Sequence, residues 1–300
     1  MTTSRKLHLD RTAVLGVLAC CALWGLNQVA AKAAMSEIGP LWQAGLRSLA
    51  AALLVWLWAA ARGIKLWERD GSLPGGLLAG ALFGLEFACI FIGLQYTSAS
   101  RMVVFIYLSP FVVALGMPFI SRAERLNVRQ IGGLLLAFGA VAWAFSEGFT
   151  GHASGSPLQW LGDTLGLLAA VLWGGTTLAI RATKLSRASA EKTLLYQLGI
   201  SGLGLCLAAL IVGELLPLAW SARLIALFSF QAVVVSFASY LLWFWMVRHY
   251  PATQLASFTL ATPLFGLLAG AALLGEPITL RLGVALVALA TGVLLVNKQN

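Results

Sequence analysis

Apolar residues run in long unbroken stretches from one end of the chain to the other, separated by short polar punctuation. The stretches cover 12–32, 41–61, 73–95, 102–120, 128–147, 160–181, 193–213, 222–246, 252–274 and 279–297. Each is close to the ~20 residues a helix needs to cross the hydrocarbon core of a bilayer. The apolar positions are continuous rather than alternating, which speaks against a membrane barrel and for helices that satisfy their own backbone. The pattern predicts an all-α integral membrane protein of ten transmembrane helices. The breaks hold turn formers, as in Gly39-Pro40, Gly71-Ser72-Leu73-Pro74 and the loop from Gly151 to Pro157 near mid-chain.

Two stretches contain a proline after a hydroxyl residue: Tyr107-Leu108-Ser109-Pro110-Phe111 and Ala261-Thr262-Pro263-Leu264-Phe265. Proline inside a helix removes one hydrogen bond and crowds the carbonyl four residues back, here Ile106 and Thr259. A bend is expected at each, partly re-satisfied by Ser109 or Thr262. Interrupted spans at matching places in two halves point to a transporter's substrate site, and Pro110 and Pro263 are candidate hinges.

Composition agrees with the membrane reading. Of 300 residues, 60% are hydrophobic and 10% charged, against roughly 25% charged in soluble domains, and the mean hydropathy is +0.88. The net charge of +9 does not call for a nucleic-acid partner, because the basic residues mark topology. Alternate segments hold Arg5, Lys6 and Arg11; Arg62, Lys65 and Arg69; Arg122, Arg125 and Arg129; Arg181, Lys184, Arg187 and Lys192; Arg248; and Lys298. The intervening segments hold only Lys32, Arg101, Arg223 and Arg281. This asymmetry places both termini in the cytoplasm. Cys20, Cys21, Cys89 and Cys206 all lie in apolar stretches and read as packing residues. The basic start before the first stretch imitates a signal peptide, but the stretch is long and the pattern recurs, so it reads as a retained first span.

The halves echo each other. Leu23-Trp24-Gly25 with Lys32 matches Leu172-Trp173-Gly174 with Arg181, and Gln95-Tyr96-Thr97-Ser98-Ala99 resembles His249-Tyr250-Pro251-Ala252-Thr253. Pro110 then matches Pro263, and Glu124 with Arg129 matches Glu276 with Arg281. Each half carries five spans, an odd number, so the second must lie inverted relative to the first. The expected organisation is a first five-helix repeat over 1–150 and an inverted one over 151–300, with a site near the midplane between them.

These landmarks resemble the drug/metabolite transporter superfamily, specifically its bacterial EamA-type ten-span exporters. The resemblance rests on the two Leu-Trp-Gly segments, Arg47 in Ala44-Gly45-Leu46-Arg47, the block from Tyr96 through Pro110 to Glu124, and its repeat from Tyr250 through Pro263 to Gly275-Glu276. In overall likeness the chain resembles the branch that exports aromatic amino acids. The resemblance implies an inner-membrane exporter of small metabolites, built as inverted repeats and lacking an ATPase domain. The seventh span departs from symmetry, with Tyr196 or Gln197 where an arginine would match Arg47.

Glu86 is the acidic residue deep inside a span, where an ionisable group costs about 2.5–3.5 kcal/mol or more and is expected to face a partner or a watery path. It is a candidate contact for a substrate amine, a proton-binding group for coupling, or a structural partner of Arg47. The repeat alignment sets Tyr240 opposite it. Arg47 lies nearer the outer end, positioned to attract a carboxylate or to snorkel to headgroups. Asn27, together with Gln28 in the first span, and Thr176, beside Thr177 in the sixth, are expected to point inward as cavity lining or interhelical glue. Trp24, Tyr107, Trp173, Trp243 and Phe87 are deep aromatics able to stack on an aromatic substrate, while Trp42, Trp67, Trp160 and Trp220 flank spans as interfacial belt residues. Gly80 and Gly84 suit close helix packing. Catalysis finds no support: His8, His152 and His249 lie at span ends or in loops, no His/Asp/Glu cluster has metal-ligand spacing, and Ser109 has no evident base. The sequence thus predicts a monomer-competent secondary transporter in the lipid bilayer, needing no cofactor, that exports amino acids. The alternative is a proton-coupled exporter of lipophilic cations that uses Glu86.

Overall fold

Hydroxyl and carboxylate caps start the helices. In the computed structural model, which describes residues 10–120, 128–149, 157–250, 255, 258–259 and 261–297, Asp10 accepts from the Ala13 amide at 2.9 Å to open α1 (Arg11–Ala34). Ser98, Ser189 and Ser221 do the same for α4 (Ala99–Ile106), α8 (Ala190–Ile211) and α9 (Ala222–Ser229). Prolines occupy the first turns of α2 (Pro40–Ala61) and α3 (Leu73–Gly93), where the missing N–H has no helical partner to lose. Gly63 and Gly213, at φ 64 and 72, follow α2 and α8 in the left-handed region that glycine adopts without strain. The remaining helices are α5 (Ser109–Ile120), α6 (Val128–Phe145), α7 (Gln159–Ala182), α10 (Tyr240–His249), α11 (Ala261–Leu274) and α12 (Leu280–Asn297). The dividing loop Gly151–Ser156, the landmark Glu124, the basic residues Arg5, Lys6, Arg122, Arg125 and Lys298, the histidines His8 and His152, and most of 251–260 lie outside the described residues.

Among the described residues, seven stretches are long and apolar enough to cross a membrane, α4–α5 counting as one and Ala222–Met246 as another. Three shorter apolar helices, Ile131–Ala144, Ala261–Leu274 and Leu280–Gly292, fall where the sequence predicts the fifth, ninth and tenth spans. Apolar side chains such as Leu15, Phe119 and Leu203 point outward.

Both proline sites differ from a bent continuous helix. The chain stops being α-helical at Tyr107-Leu108, where Leu108 N–H bonds Phe105 O and Phe111 N–H bonds Leu108 O across three residues. Pro110 is then the second residue of α5, and Pro263 the third of α11. Each proline therefore opens a half-helix, because a helix N-terminus tolerates its ring and lost donor. Among the described residues, the proline inside a helix is Pro118, in α5. The eighth predicted span is not uniform either. Phe230–Ser239 winds as a π-helix between α9 and α10, a form that occurs often at functional sites.

Helices from the two halves of the chain pack pairwise. α1 lies on α11 and α5 on α7; α2 lies on α8 and α6 on α12; α3 touches α7 and α8, while the π-segment touches α1 and α2. The repeated Leu-Trp-Gly segments share a packing reason. A Cβ on Gly25 would come within 2.6 Å of the Gly266 amide nitrogen, just past Pro263 in α11. One on Gly174 would come within 2.6 Å of Val112, just past Pro110 in α5. A Cβ on Gly80 would likewise come within 2.7 Å of Ile200 and the Tyr196 carbonyl in α8, whereas one on Gly84 would reach only 3.2 Å from Ser201.

At one end of the bundle, helix termini are capped from elsewhere in the chain. Glu276 accepts from the Ala99 and Ser100 amides and the Ser100 hydroxyl at 2.6–2.9 Å, closing the start of α4. Glu214 accepts from the Leu41 amide at 3.1 Å at the start of α2; burial holds its carboxyl above the usual glutamate range, and the Leu41 and Trp42 amides pull it partly back. Lys32 donates to the Leu94 and Thr97 carbonyls beyond α3. Each places charge where a helix end leaves backbone groups unsatisfied. Arg101 ties this end together. It forks onto both oxygens of Asp163 (2.6–3.2 Å) and reaches Glu147 at 2.7 Å and the Ala144 carbonyl at 2.8 Å. Thr97 also donates to Asp163, and Thr279 to Glu147. Trp42 belongs to this capped end rather than to an interfacial belt: it is buried and its indole donates to the Glu214 carbonyl at 2.6 Å.

Candidate functional site

Below the capped end lies a second set of buried polar groups, and the helix lengths set its depth. Asn27 is seven residues before the end of α1, Arg47 seven after the start of α2, and Glu86 seven before the end of α3. At 1.5 Å per residue all three sit about 10 Å in from the same end. Gln43, one turn before Arg47, donates to the Ala31 carbonyl at 3.2 Å and to Gln231 of the π-segment at 3.3 Å, drawing α1, α2 and the π-segment together.

Arg47 is fully buried, not snorkelling: it shows no exposed surface, and its guanidinium carbon sits 4.2 Å from the Phe87 ring centroid and 5.1 Å from that of Phe91. Glu86, 4% exposed, and the Tyr240 phenol are its electrostatic neighbours. Yet, among the described residues, Nε and Nη1 of Arg47 and Oε2 of Glu86 have no hydrogen-bond partner. The same holds for side-chain oxygens of Asn27, Gln28, Gln43, Ser48 and Ser236. Buried polar atoms are nearly always paired, and a charged one left alone costs more than a neutral one. A group of them at one level suits a polar ligand that offers both donors and acceptors.

Aromatic side chains stand beside this layer. The Trp24 indole donates to the Ser239 hydroxyl at 2.9 Å, and its ring meets Tyr240 and Trp243 edge-on at 6.3 and 5.4 Å. Tyr107, in the break between α4 and α5, meets Trp173 edge-on at 5.5 Å. The Tyr107 phenol lies within electrostatic reach of Tyr240, Cys20 and Cys21, and the buried Thr262 hydroxyl at the start of α11 has no hydrogen-bond partner among the described residues. Of the residues singled out from the sequence, the structure sets Glu86 and Tyr240 beside Arg47, with Trp24 against Tyr240 and Asn27 at the same depth. It joins Tyr107 to Trp173 next to them. The Thr176 hydroxyl is spent on the Leu172 carbonyl of its own helix at 2.9 Å. Gln43, Ser48, Gln231 and Ser236 were not anticipated. Their signal is a polar residue isolated in an apolar stretch, with Gln43 one turn from Arg47.

Comparison with known proteins matches the EamA-like transporter family model twice, over residues 11–146 and 160–298. The chain belongs to this family. It is 30% identical over 300 residues to an uncharacterized transporter, YvbV, of Bacillus subtilis (strain 168), covering 99% of this chain and 94% of that one. It is 26% identical over 286 residues to an S-adenosylmethionine/S-adenosylhomocysteine transporter of Chlamydia muridarum (strain MoPn / Nigg), covering 90% and 87%. A crystal structure aligns with a TM-score of 0.66 at 19% identity, covering 95% of this chain and 97% of that one, a likeness of fold alone. The protein is a multi-pass membrane transporter and not an enzyme.

Proposed function

We propose that this protein exports neutral amino acids, aromatic ones among them, across the bacterial inner membrane by alternating access. The observation that carries this reading is the buried layer of Asn27, Arg47 and Glu86, whose polar atoms lack partners beside the aromatic group of Trp24, Tyr107, Trp173 and Tyr240. In this reading ten spans form two inverted five-helix repeats, 1–150 and 151–300, with both termini cytoplasmic and the capped end outside. Two features support the repeat: the family model matches each half separately, and the packing of α1 on α11 reappears with the halves exchanged as α5 on α7. The relative that carries S-adenosylmethionine supports the substrate class, since that molecule ends in an α-amino-acid group. Pro110 and Pro263, at the starts of α5 and α11, are the points about which the half-helices pivot. The expected outcome for Pro110→Ala and Pro263→Ala is slower efflux with substrate binding retained; normal rates in both would remove the hinge. A proton-coupled exporter of lipophilic cations fits the site less well, because Arg47 stands next to Glu86 and repels a cation.

The direct test loads proteoliposomes with labelled phenylalanine, leucine or methionine and follows efflux against protein-free vesicles. Protein-dependent efflux is expected, and its absence for every amino acid tried would overturn the proposal.

A further inference from the structure

The bundle interior holds opposite charges that complete no bond with each other, and their surroundings determine what could join them. Arg47 is wholly buried and Glu86 nearly so, at 4% exposure. Two guanidinium nitrogens and one carboxylate oxygen find no partner among the described residues, although the two side chains lie within electrostatic reach. Had the pair evolved only to neutralise itself, direct hydrogen bonds would be the stable arrangement, because desolvation of a buried charge is offset only by good geometry. Arg47 is instead held by π-faces, Phe87 at 4.2 Å and Phe91 at 5.1 Å, which steady a guanidinium without consuming its N–H donors. A free cation alone would draw an anion, and a free carboxylate alone would draw a cation. Together at one depth they are complementary to a ligand that carries both charges and no net charge.

We infer that Arg47 and Glu86 are the two poles of a zwitterion site, with Arg47 taking the α-carboxylate and Glu86 the α-ammonium of one amino acid. Resting on the export reading above, the assignment adds that recognition is of the amino-acid end, with Trp24, Trp243 and Tyr240 left to meet the side chain. The planar guanidinium can meet a carboxylate through two parallel N–H donors. Asn27 Oδ1, at the same depth, supplies a further acceptor for the ammonium.

Full-length protein in detergent is titrated with L-phenylalanine, L-leucine and L-methionine, with phenylalaninamide, which lacks the carboxylate, and with 3-phenylpropanoate, which lacks the ammonium. The wild type is expected to bind at least one of the three amino acids. It should bind the two phenylalanine analogues about 10- to 100-fold more weakly than phenylalanine, the range for losing a hydrogen-bonded charge. In Arg47→Gln the preference for phenylalanine over its amide disappears, while Arg47→Lys, which keeps the charge, retains part of it. In Glu86→Gln the preference over 3-phenylpropanoate disappears. Each variant is first checked for a single monodisperse species. Wild-type protein that binds phenylalaninamide as well as phenylalanine, or an Arg47→Gln protein that keeps the preference, overturns the assignment even if amino-acid efflux is observed. Binding of leucine or methionine but not phenylalanine, lost in both Arg47→Gln and Glu86→Gln, upholds the site and removes only the aromatic preference. Binding of none of the three overturns it.

Discussion

Arg47 and Arg101 are both buried in the same bundle, at 0% and 2% exposure, and are treated in opposite ways. Arg101 donates to Asp163 twice over, to Glu147 and to the Ala144 carbonyl, and its partners are bonded in turn to Thr97 and Thr279. Arg47 has two aromatic faces and a nearby carboxylate that it does not bond. One region has its buried charge fully satisfied, which rigidifies it. The other keeps donors and acceptors in reserve, which costs stability and leaves something for a ligand to complete. The difference matches the roles proposed for them: the capped end joins helices from both halves, and the layer beneath it is the proposed binding site.

The largest effect expected is at the satisfied pair. Arg101→Met or Asp163→Asn leaves a buried charge or its partner groups stranded, and should destabilise the protein by about 3–5 kcal/mol, read as a lower melting temperature in detergent. The double replacement Arg101→Met with Asp163→Leu should recover much of that loss, because the Asp163 charge is no longer stranded and Glu147 keeps Thr279 and Arg281 beside it. Arg47→Met sharpens the contrast. It removes a buried charge that makes no hydrogen bond, so the melting temperature should hold or rise, while amino-acid binding falls. A fall as large as that for Arg101→Met would make Arg47 structural and break the comparison.

The smallest effect expected is at the other end of the bundle, where Lys192 bonds Asp70 at 2.9 Å. The Ser72 side chain, the Ser72 amide and Lys192 hold the Asp70 carboxyl below the usual aspartate range. A depressed folded value means that the stabilisation is present at neutral pH, above the unfolded value of about 3.9. It is lost as pH falls below that toward the folded value. Melting temperature should therefore be insensitive to this contact from pH 7 to 5 and drop below pH ~4, and Asp70→Asn should make that drop shallower.

Much of this site could be read in the residues. Glu86 stood out because a carboxylate in the middle of an apolar stretch needs a reason, and aligning the repeats brought Tyr240 to it. The Leu-Trp-Gly repeat marked two places where glycine lets helices touch. Arg47 read as shallow because helix register says how far a residue is from an end, not whether neighbouring helices cover it. Trp42 read as an interfacial tryptophan, although Glu214, from a distant loop, buries it. Arg101 read as a loop charge marking topology, because its bond to Asp163 joins residues 62 apart and depends on α4 and α7 lying side by side.

The sequence by itself determined that the chain is helical and crosses a membrane, since nothing else accommodates so many continuous apolar stretches. It also carried the two-part repeat in its landmarks and the oddity of Glu86. Only the tertiary structure decided which buried charges are satisfied. That Pro110 and Pro263 begin half-helices, that Arg101 is locked and that Arg47 is left free all depend on what the neighbouring helices present. A buried charge is stable or available according to the atoms packed around it, and those come from parts of the chain far away in sequence.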